Sequence, residues 1–246
     1  MKSPLHVGWL LVASALLWAC AVSPTSRLES YLGPIPAGEA SQLGQSKFEA
    51  GLLVINDTTT RDSAPALLDP AMQFVTARTQ QRVDRDLPIK IVKLVRADQL
   101  PPGREPSRFT QLARDQGVRY LVVAIFSSAE SEVPASHPFG GSAQGGGGLG
   151  VQPGYTATNY ALVELALLDA ETGRPLAVSE GRAWATLDRL AMGGFSNVFP
   201  VIRRSLRVEP IFPSEQDAYD MLRGLTGDEA LEQAVMHLRE AWSRAS

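Results

Sequence analysis

The feature that most constrains the fold is an uninterrupted apolar run, Tyr120–Phe126 (YLVVAIF). A run without polar alternation is typical of a strand enclosed in a core. A second apolar run, Leu52–Ile55, ends at the turn formers Asn56 and Asp57. We therefore predict two buried strands, with Asn56 and Asp57 capping the loop that follows the first of them.

Helical patterns lie between and after these strands. They cover residues 69–87, 107–117 and 228–242, the last with apolar residues at helical spacing. Residues 88–95 predict another strand, and residues 160–187 alternate around an Asp/Thr/Gly/Pro turn, which predicts a β-hairpin. The order predicts an α/β fold, in which helices pack on a mixed β-sheet and the last element is a C-terminal amphipathic helix.

Composition and motifs argue against several classes of function. The net charge of −3 provides no electrostatic footprint for nucleic acid. Three histidines and one cysteine form no zinc-binding cluster. Glycines within 145–150 fit G-x-G-x-x-G, but the flanking strand and helix that a nucleotide site needs are not predicted. Residues 140–144 depart from G-x-S-x-G. We expect no catalytic, cofactor or metal site, and no enzyme.

The N-terminus has the pattern of a secretory leader. Lys2 is followed by an apolar run and then by a small residue before Cys20. This order predicts a signal peptide over residues 1–19. The apolar run is shorter than the roughly 20 residues of a spanning helix. Because Cys20 is the only cysteine, an intrachain disulfide is excluded. An ordinary signal peptide with a chance cysteine is the alternative.

The residues before Cys20 resemble the lipobox of bacterial lipoproteins. Leu17 and Ala19 match its leucine and its small residue, while Trp18 departs from the usual small or aliphatic residue. The resemblance implies that the Cys20 thiol is acylated and anchors the chain in a membrane. By the same analogy, Ala21 implies sorting to the outer membrane, facing the periplasm.

Two long segments are poor in apolar residues. Residues 20–47 are rich in Ser, Pro and Gly, and predict a flexible tether. Residues 48–246 then form a single α/β domain. Within it, residues 127–159 are Gly-rich and predict a flexible loop. A loop of that length in a compact domain is uncommon and often functional.

Three stretches resemble a group of periplasmic α/β lipoprotein domains. They are Leu52–Thr59 (LLVINDTT), residues 117–126 (GVRYLVVAIF) and Leu167–Leu176 (LLDAETGRPL). The group includes the curli export lipoprotein, the outer-membrane activators of penicillin-binding proteins and the N-terminal domain of TolB. With the lipobox and the chain length, the sequence is most similar to the rhombotail lipoproteins. The resemblance covers most of residues 48–187 and implies a fold and a compartment.

These observations lead to one main functional expectation. We expect a lipid-anchored, non-catalytic envelope protein that binds or regulates another envelope protein, without a nucleotide or nucleic-acid partner. The candidate partner surface is an apolar cluster, for which core packing is the alternative: Phe195, Val198, Phe199 and Ile202.

A second function is a subunit of an outer-membrane export pore or assembly related to the curli exporter. That exporter crosses the membrane with long alternating hairpins. Residues 127–159 occupy a comparable place but lack the alternation of a membrane strand. We therefore expect the export pore to be the alternative rather than the main function.

Overall fold

The strands form one six-stranded sheet in a computed structural model of the chain. The model describes residues 23–35, 47–100, 106–139, 150–190, 200–207, 209–214 and 216–245. The strands are β1 (Phe48–Asp57), β2 (Ile89–Val95), β3 (Tyr120–Phe139), β4 (Gly150–Asp169), β5 (Pro175–Leu190) and β6 (Val201–Arg204). The helices are α1 (Leu28–Leu32), α2 (Asp69–Asp86), α3 (Ser107–Asp115) and α4 (Ala218–Ala245), with a 3₁₀ turn at Ala97–Gln99.

The sheet is mixed, as the sequence predicts. Its order is β2–β1–β3–β4–β5–β6. β1 is parallel to both β2 and β3, whereas the pairs from β3 to β6 are antiparallel. The parallel pairs follow from helical crossovers, and the antiparallel pairs include the two hairpins β3–β4 and β4–β5. The α/β prediction is confirmed.

Helices cover both faces of the sheet. Successive residues of a strand point to opposite faces, so one apolar strand supplies two cores. On one face, side chains of β1, β3 and β4 pack against α2 and α4, including Val75, Val83, Leu231 and Val235. On the other face, the alternate residues of the same strands pack against α1 and α3, including Leu28, Leu32, Phe109 and Leu112.

Strands β3 and β4 form a long hairpin where the sequence predicts a flexible loop. The pairing runs from Tyr120 opposite Asp169 to Phe139 opposite Gly150. The predicted flexible loop at residues 127–159 is therefore wrong over residues 127–139 and 150–159; its remaining residues, 140–149, lie outside the described part of the chain. Cross-strand backbone bonds do not require apolar side chains, which explains why a polar composition forms strands here.

The C-terminal amphipathic helix is present and begins ten residues before the predicted start, at Ala218. It approaches β5 closely at Gly181, where a Cβ atom would collide with Ala230 O and Ala234 N of α4. Ser179 Oγ donates to Ala234 O at 2.8 Å across this contact. Glycine at position 181 is what lets the helix backbone lie directly on the strand.

Arginine–carboxylate pairs fix α4 on its neighbours. Arg82 of α2 donates to both oxygens of buried Asp228. Arg223 of α4 donates to both oxygens of Glu130 on β3, at 2.7 and 2.8 Å. Bidentate geometry makes such pairs directional as well as attractive. They fix the rotation of the helix relative to α2 and the sheet.

Candidate functional site

Residues 23–35 are docked on the domain. We call residues 23–35 the N-terminal strap. Its helix α1 buries Leu28 and Leu32 in the same core as Phe109 and Leu112 of α3. The prediction of a flexible tether over residues 20–47 is therefore wrong for this segment. The two leucines, spaced four apart on one helical face, supply the apolar contact that a free tether lacks.

One buried carboxylate accepts three hydrogen bonds from the strap. Glu164 of β4 is 2% exposed. Its Oε1 accepts from Ser26 Oγ at 2.5 Å and from Leu28 N at 3.2 Å, while its Oε2 accepts from Arg27 N at 2.8 Å. These N–H groups lie at the start of α1, where no intrahelical acceptor exists. Glu164 therefore caps the strap helix from within the sheet.

A second carboxylate holds the strap at the end of β1. Arg27 Nε donates to Asp57 Oδ2 at 2.9 Å, and the backbone and hydroxyl of Thr59 donate to Asp57 Oδ1 at 2.8 and 2.6 Å. Burial of Asp57 opposes its ionisation, but these bonds outweigh the burial and hold its pKa below the usual value. Asp57 is thus an ionised partner of Arg27 over most of the pH range.

The loop after β1 is capped as predicted. Asn56 Oδ1 accepts from Leu67 N at 2.8 Å, and Asn56 Nδ2 donates to Phe126 O at 3.3 Å. Together with the Asp57 bonds to Thr59, these contacts satisfy backbone groups of the loop. The prediction that Asn56 and Asp57 are loop caps is confirmed.

The strap begins at β5. Arg182 Nη1 donates to Ser23 Oγ at 3.0 Å and to Pro24 O at 2.9 Å. From there the strap passes Glu164 of β4 and reaches Asp57 of β1. Helix α1 ends at Leu32 and is followed by Gly33, whose φ of +74° is a conformation that glycine adopts readily. The strap therefore crosses the sheet from the β5 side toward β1 and α3.

An apolar groove opens on the other face, between the start of α2 and the first half of α4. We call it the α2–α4 groove; its volume is about 410 Å³. Its apolar side chains are Leu68, Phe74, Ile211, Met221 and Leu225, and Gly224 lies between them. Leu68 is 60% exposed, and Phe212, next to Ile211, is 72% exposed. Volumes of this size are typical of binding sites.

Carboxylates lie at the edges of this groove. Asp217 and Asp220 are among its lining residues, and Asp69 lies between Leu68 and Pro70, which both line it. Asp220 is paired with Arg223 at 3.2 Å, and Asp217 accepts from Ser214 Oγ at 2.7 Å. The apolar lining of the groove therefore favours a partner that offers apolar side chains, with Asp217 as a polar contact beside them.

The predicted partner surface is in part corrected. Ile202 is 0% exposed and packs with Leu187 and Leu222, so it is a core residue and not a surface residue. Phe195, Val198 and Phe199 lie outside the described residues, as do Leu17, Ala19 and Cys20. The backbone of Ile202 pairs with Ile211, so this strand places one wall of the α2–α4 groove.

Sequence reasoning did not find this groove. Its residues come from the end of the β1–α2 loop, from the stretch after β6 and from α4. The adjacent apolar residues Ile211 and Phe212 are a weak local signal, because they fall in a segment without periodicity. Only the fold brings these segments together.

Among the described residues, no group of three His, Cys, Asp or Glu side chains is placed to hold a metal ion. No helix of that part is long and apolar enough to span a membrane. His237 Nδ1 lies 2.7 Å from Glu180 O and packs α4 on β5.

No protein-family model and no curated protein matches the sequence. Among solved structures, a neuraminyllactose-binding hemagglutinin homologue from Helicobacter pylori is 7% identical, with a TM-score of 0.39 over 86% of this chain and 91% of that one. CT253 from Chlamydia trachomatis is 13% identical, with a TM-score of 0.36 over 80% and 99%. PelC from Paraburkholderia phytofirmans is 11% identical, with a TM-score of 0.28 over 82% and 90%. All three are bacterial proteins, and likenesses this low carry no functional argument.

Proposed function

We propose that this chain is a lipid-anchored, non-catalytic protein of the bacterial cell envelope, facing the periplasm from the outer membrane, and that it binds another envelope protein through the α2–α4 groove. The observation that carries the proposal is the exposed apolar lining of the groove. Leu68, Phe212 and Met221 present apolar surface to solvent beside an open cavity. Exposed apolar patches of this kind mark sites of interaction.

The lipobox supports the anchor. Leu17, Ala19 and Cys20 match its pattern, and the resemblance to rhombotail lipoproteins implies the same compartment. Several acyl chains hold a protein on a bilayer far more firmly than one chain, because each buried CH₂ contributes about 0.8 kcal/mol. The groove then acts from a fixed position at the membrane.

Photocrosslinking tests the groove. A photoreactive residue replaces Met221, which lies in the groove, or Met236, which is equally exposed on the same helix outside it. In intact cells we expect one specific protein adduct at position 221 and none at position 236. Gly224→Leu fills the groove and should abolish the adduct, whereas Gly224→Ala should keep it. Identical adducts at both positions contradict the groove as the binding site.

The anchor has its own test. Cys20→Ala removes the acyl acceptor, so we expect loss of membrane retention or accumulation of the unprocessed chain. Mass spectrometry of the wild-type N-terminal peptide should show acylated Cys20. Unchanged processing and membrane retention in Cys20→Ala contradict the anchor.

One observation favours an export-pore subunit as the second candidate function. The β3–β4 hairpin has 20-residue strands, longer than the roughly 9–11 residues that a membrane-crossing strand needs. Ring-shaped oligomers in detergent support this candidate. A monomer that releases no dye from vesicles contradicts it.

A further inference from the structure

Because the strap is docked, only a very short linker, which we call the leash, separates Cys20 from the domain. Only Ala21 and Val22 separate Cys20 from Ser23, and Arg182 of β5 holds Ser23 and Pro24. Three residue steps span at most about 11 Å, whereas a free tether over residues 20–47 would span up to about 90 Å. An anchor on Cys20 therefore keeps the β5 side of the domain close to the bilayer.

The surface next to that attachment point suits a membrane interface. Trp184 lies two residues after Arg182 on the same face of β5, about 7 Å along the strand, and is 47% exposed. Ser205, bonded to the Trp184 backbone, is followed by the exposed Leu206. Tryptophan prefers the headgroup region, where its ring is half in apolar and half in polar surroundings.

We infer that the patch formed by Arg182, Trp184 and Leu206 rests on the phospholipid headgroups of the membrane that carries the anchor. The inference rests on the lipid anchor of the proposed function and adds the orientation of the domain. It places the β5 side against the bilayer. The leash, rather than a long spacer, then sets the distance between the domain and the bilayer.

The charges around the patch show what holds it there. Arg182 is paired with Glu180 at 3.3 Å, Arg203 with Asp188 at 3.2 Å and Arg207 with Glu232 at 2.9 Å. Because each arginine already has a carboxylate beside it, the surroundings of the patch offer little net attraction to anionic lipid. The short leash and the apolar groups therefore determine the contact.

Tryptophan quenching tests this placement. The full-length gene is expressed in a Gram-negative host, and the membrane-extracted protein is reconstituted into vesicles of phosphatidylethanolamine and phosphatidylglycerol with brominated acyl chains. Once the leader is removed, Trp184 and Trp242 are the only tryptophans, and Trp242 is buried against Phe48. We expect strong quenching in the wild type and a several-fold loss in Trp184→Phe.

Two insertions separate the leash from other effects. A Gly/Ser spacer of about 20 residues between Val22 and Ser23 adds roughly 25 Å of mean reach. We expect it to reduce quenching several-fold, while the same spacer between Ala245 and Ser246 leaves quenching unchanged. We expect equal quenching when uncharged phosphatidylcholine replaces phosphatidylglycerol in the vesicles; quenching that requires phosphatidylglycerol contradicts the leash as the cause.

Flotation with the vesicles distinguishes the two proposals. A wild-type protein that floats but shows no quenching, or the same quenching with the N-terminal spacer, contradicts the orientation and leaves the anchor standing. A protein that does not float, and whose Cys20 carries no acyl chain by mass spectrometry, contradicts the anchor and the orientation together.

Discussion

The buried side chain of Glu164 accepts three hydrogen bonds from the strap. Glu164→Gln keeps the size of the side chain but removes the charge and one acceptor oxygen. Hydrogen bonds to charged groups contribute about 1.5–3 kcal/mol each, so we expect the free energy of unfolding to fall by about 2 kcal/mol. Urea denaturation at neutral pH measures it, and proteolysis within the strap should become faster.

Glu180 provides the matched control for this change. It lies directly opposite Glu164 on β5, but it is exposed and paired only with Arg182. Exposed pairs contribute little, so Glu180→Gln should cost less than about 0.5 kcal/mol. Equal losses in the two variants would show that the strap contacts are not what Glu164 contributes.

Asp57 makes the stability depend on pH in a defined direction. Its folded-state pKa is below the unfolded value of 3.8, so its contribution is full above that value and is lost as the pH falls through the folded-state pKa. Asp57→Asn should be less stable than the wild type at neutral pH. The difference should shrink as the pH falls from about 5 toward 2. Denaturation across this range measures it, and a constant difference would exclude the carboxylate as its source.

At this scale, local sequence predicts some contacts and not others. Asn56 and Asp57 were predicted as loop caps because both are turn formers directly after an apolar run. Their partners, Leu67 and Thr59, lie 11 and 2 residues further along the chain. Ser26 and Glu164 are 138 residues apart, and nothing in either segment indicates the other. Pairs of this kind are set by the fold.

Among the elements, β5 and α4 meet at a contact that only glycine permits. At Gly181, a methyl group would collide with the α4 backbone at Ala230 and Ala234. At Gly224, also in α4, the nearest atom to a Cβ is Phe74 Cδ1 at an ordinary 3.6 Å. We expect Gly181→Ala to destabilise the protein by about 1–3 kcal/mol or more, as overpacked cores do.

The second glycine should respond in the opposite direction. Alanine loses less backbone entropy than glycine when the chain folds into a helix. We therefore expect Gly224→Ala to stabilise the protein by up to about 1 kcal/mol. Thermal unfolding of the two variants measures both effects. Similar shifts in Tm would contradict the close approach of α4 to β5 at Gly181.

The elements also show where sequence patterns fail. Tyr120–Phe126 and the β4–β5 hairpin have clear apolar patterns, and both are present. The part of the β3–β4 hairpin beyond Phe126 was not predicted. Polar residues such as Glu130 and Asn159 stand there in place of the apolar residues that indicate a buried strand. Their partners are other polar groups, since Arg223 and Asn159 both donate to Glu130. The first turns of α4 were also not predicted, because they contain Gly224 and Gly227 and glycine is the poorest helix former after proline.

For the whole molecule, the docked strap shows that the folded domain includes residues before the predicted start at residue 48. The predicted domain begins at residue 48 and omits Leu28 and Leu32, which are buried in its core. A buried leucine typically contributes about 2–5 kcal/mol, so a chain starting at Lys47 should lose at least about 4 kcal/mol relative to a chain starting at Ser23. Urea denaturation and binding of an apolar dye compare the two. Equal stability would show that the strap is dispensable for the fold.

The long separation between the strap and Glu164 also sets an order of assembly. A chain made from its N-terminus presents residues 23–35 well before β4 exists, so the strap has no docking site during most of synthesis. Through that interval Leu28 and Leu32 have no complete core to pack in, and the N–H groups at the start of α1 have no carboxylate to bind. Pairing of β4 with β3 then brings Glu164 into place, so docking of the strap is a late step of folding although the strap precedes every strand in the chain.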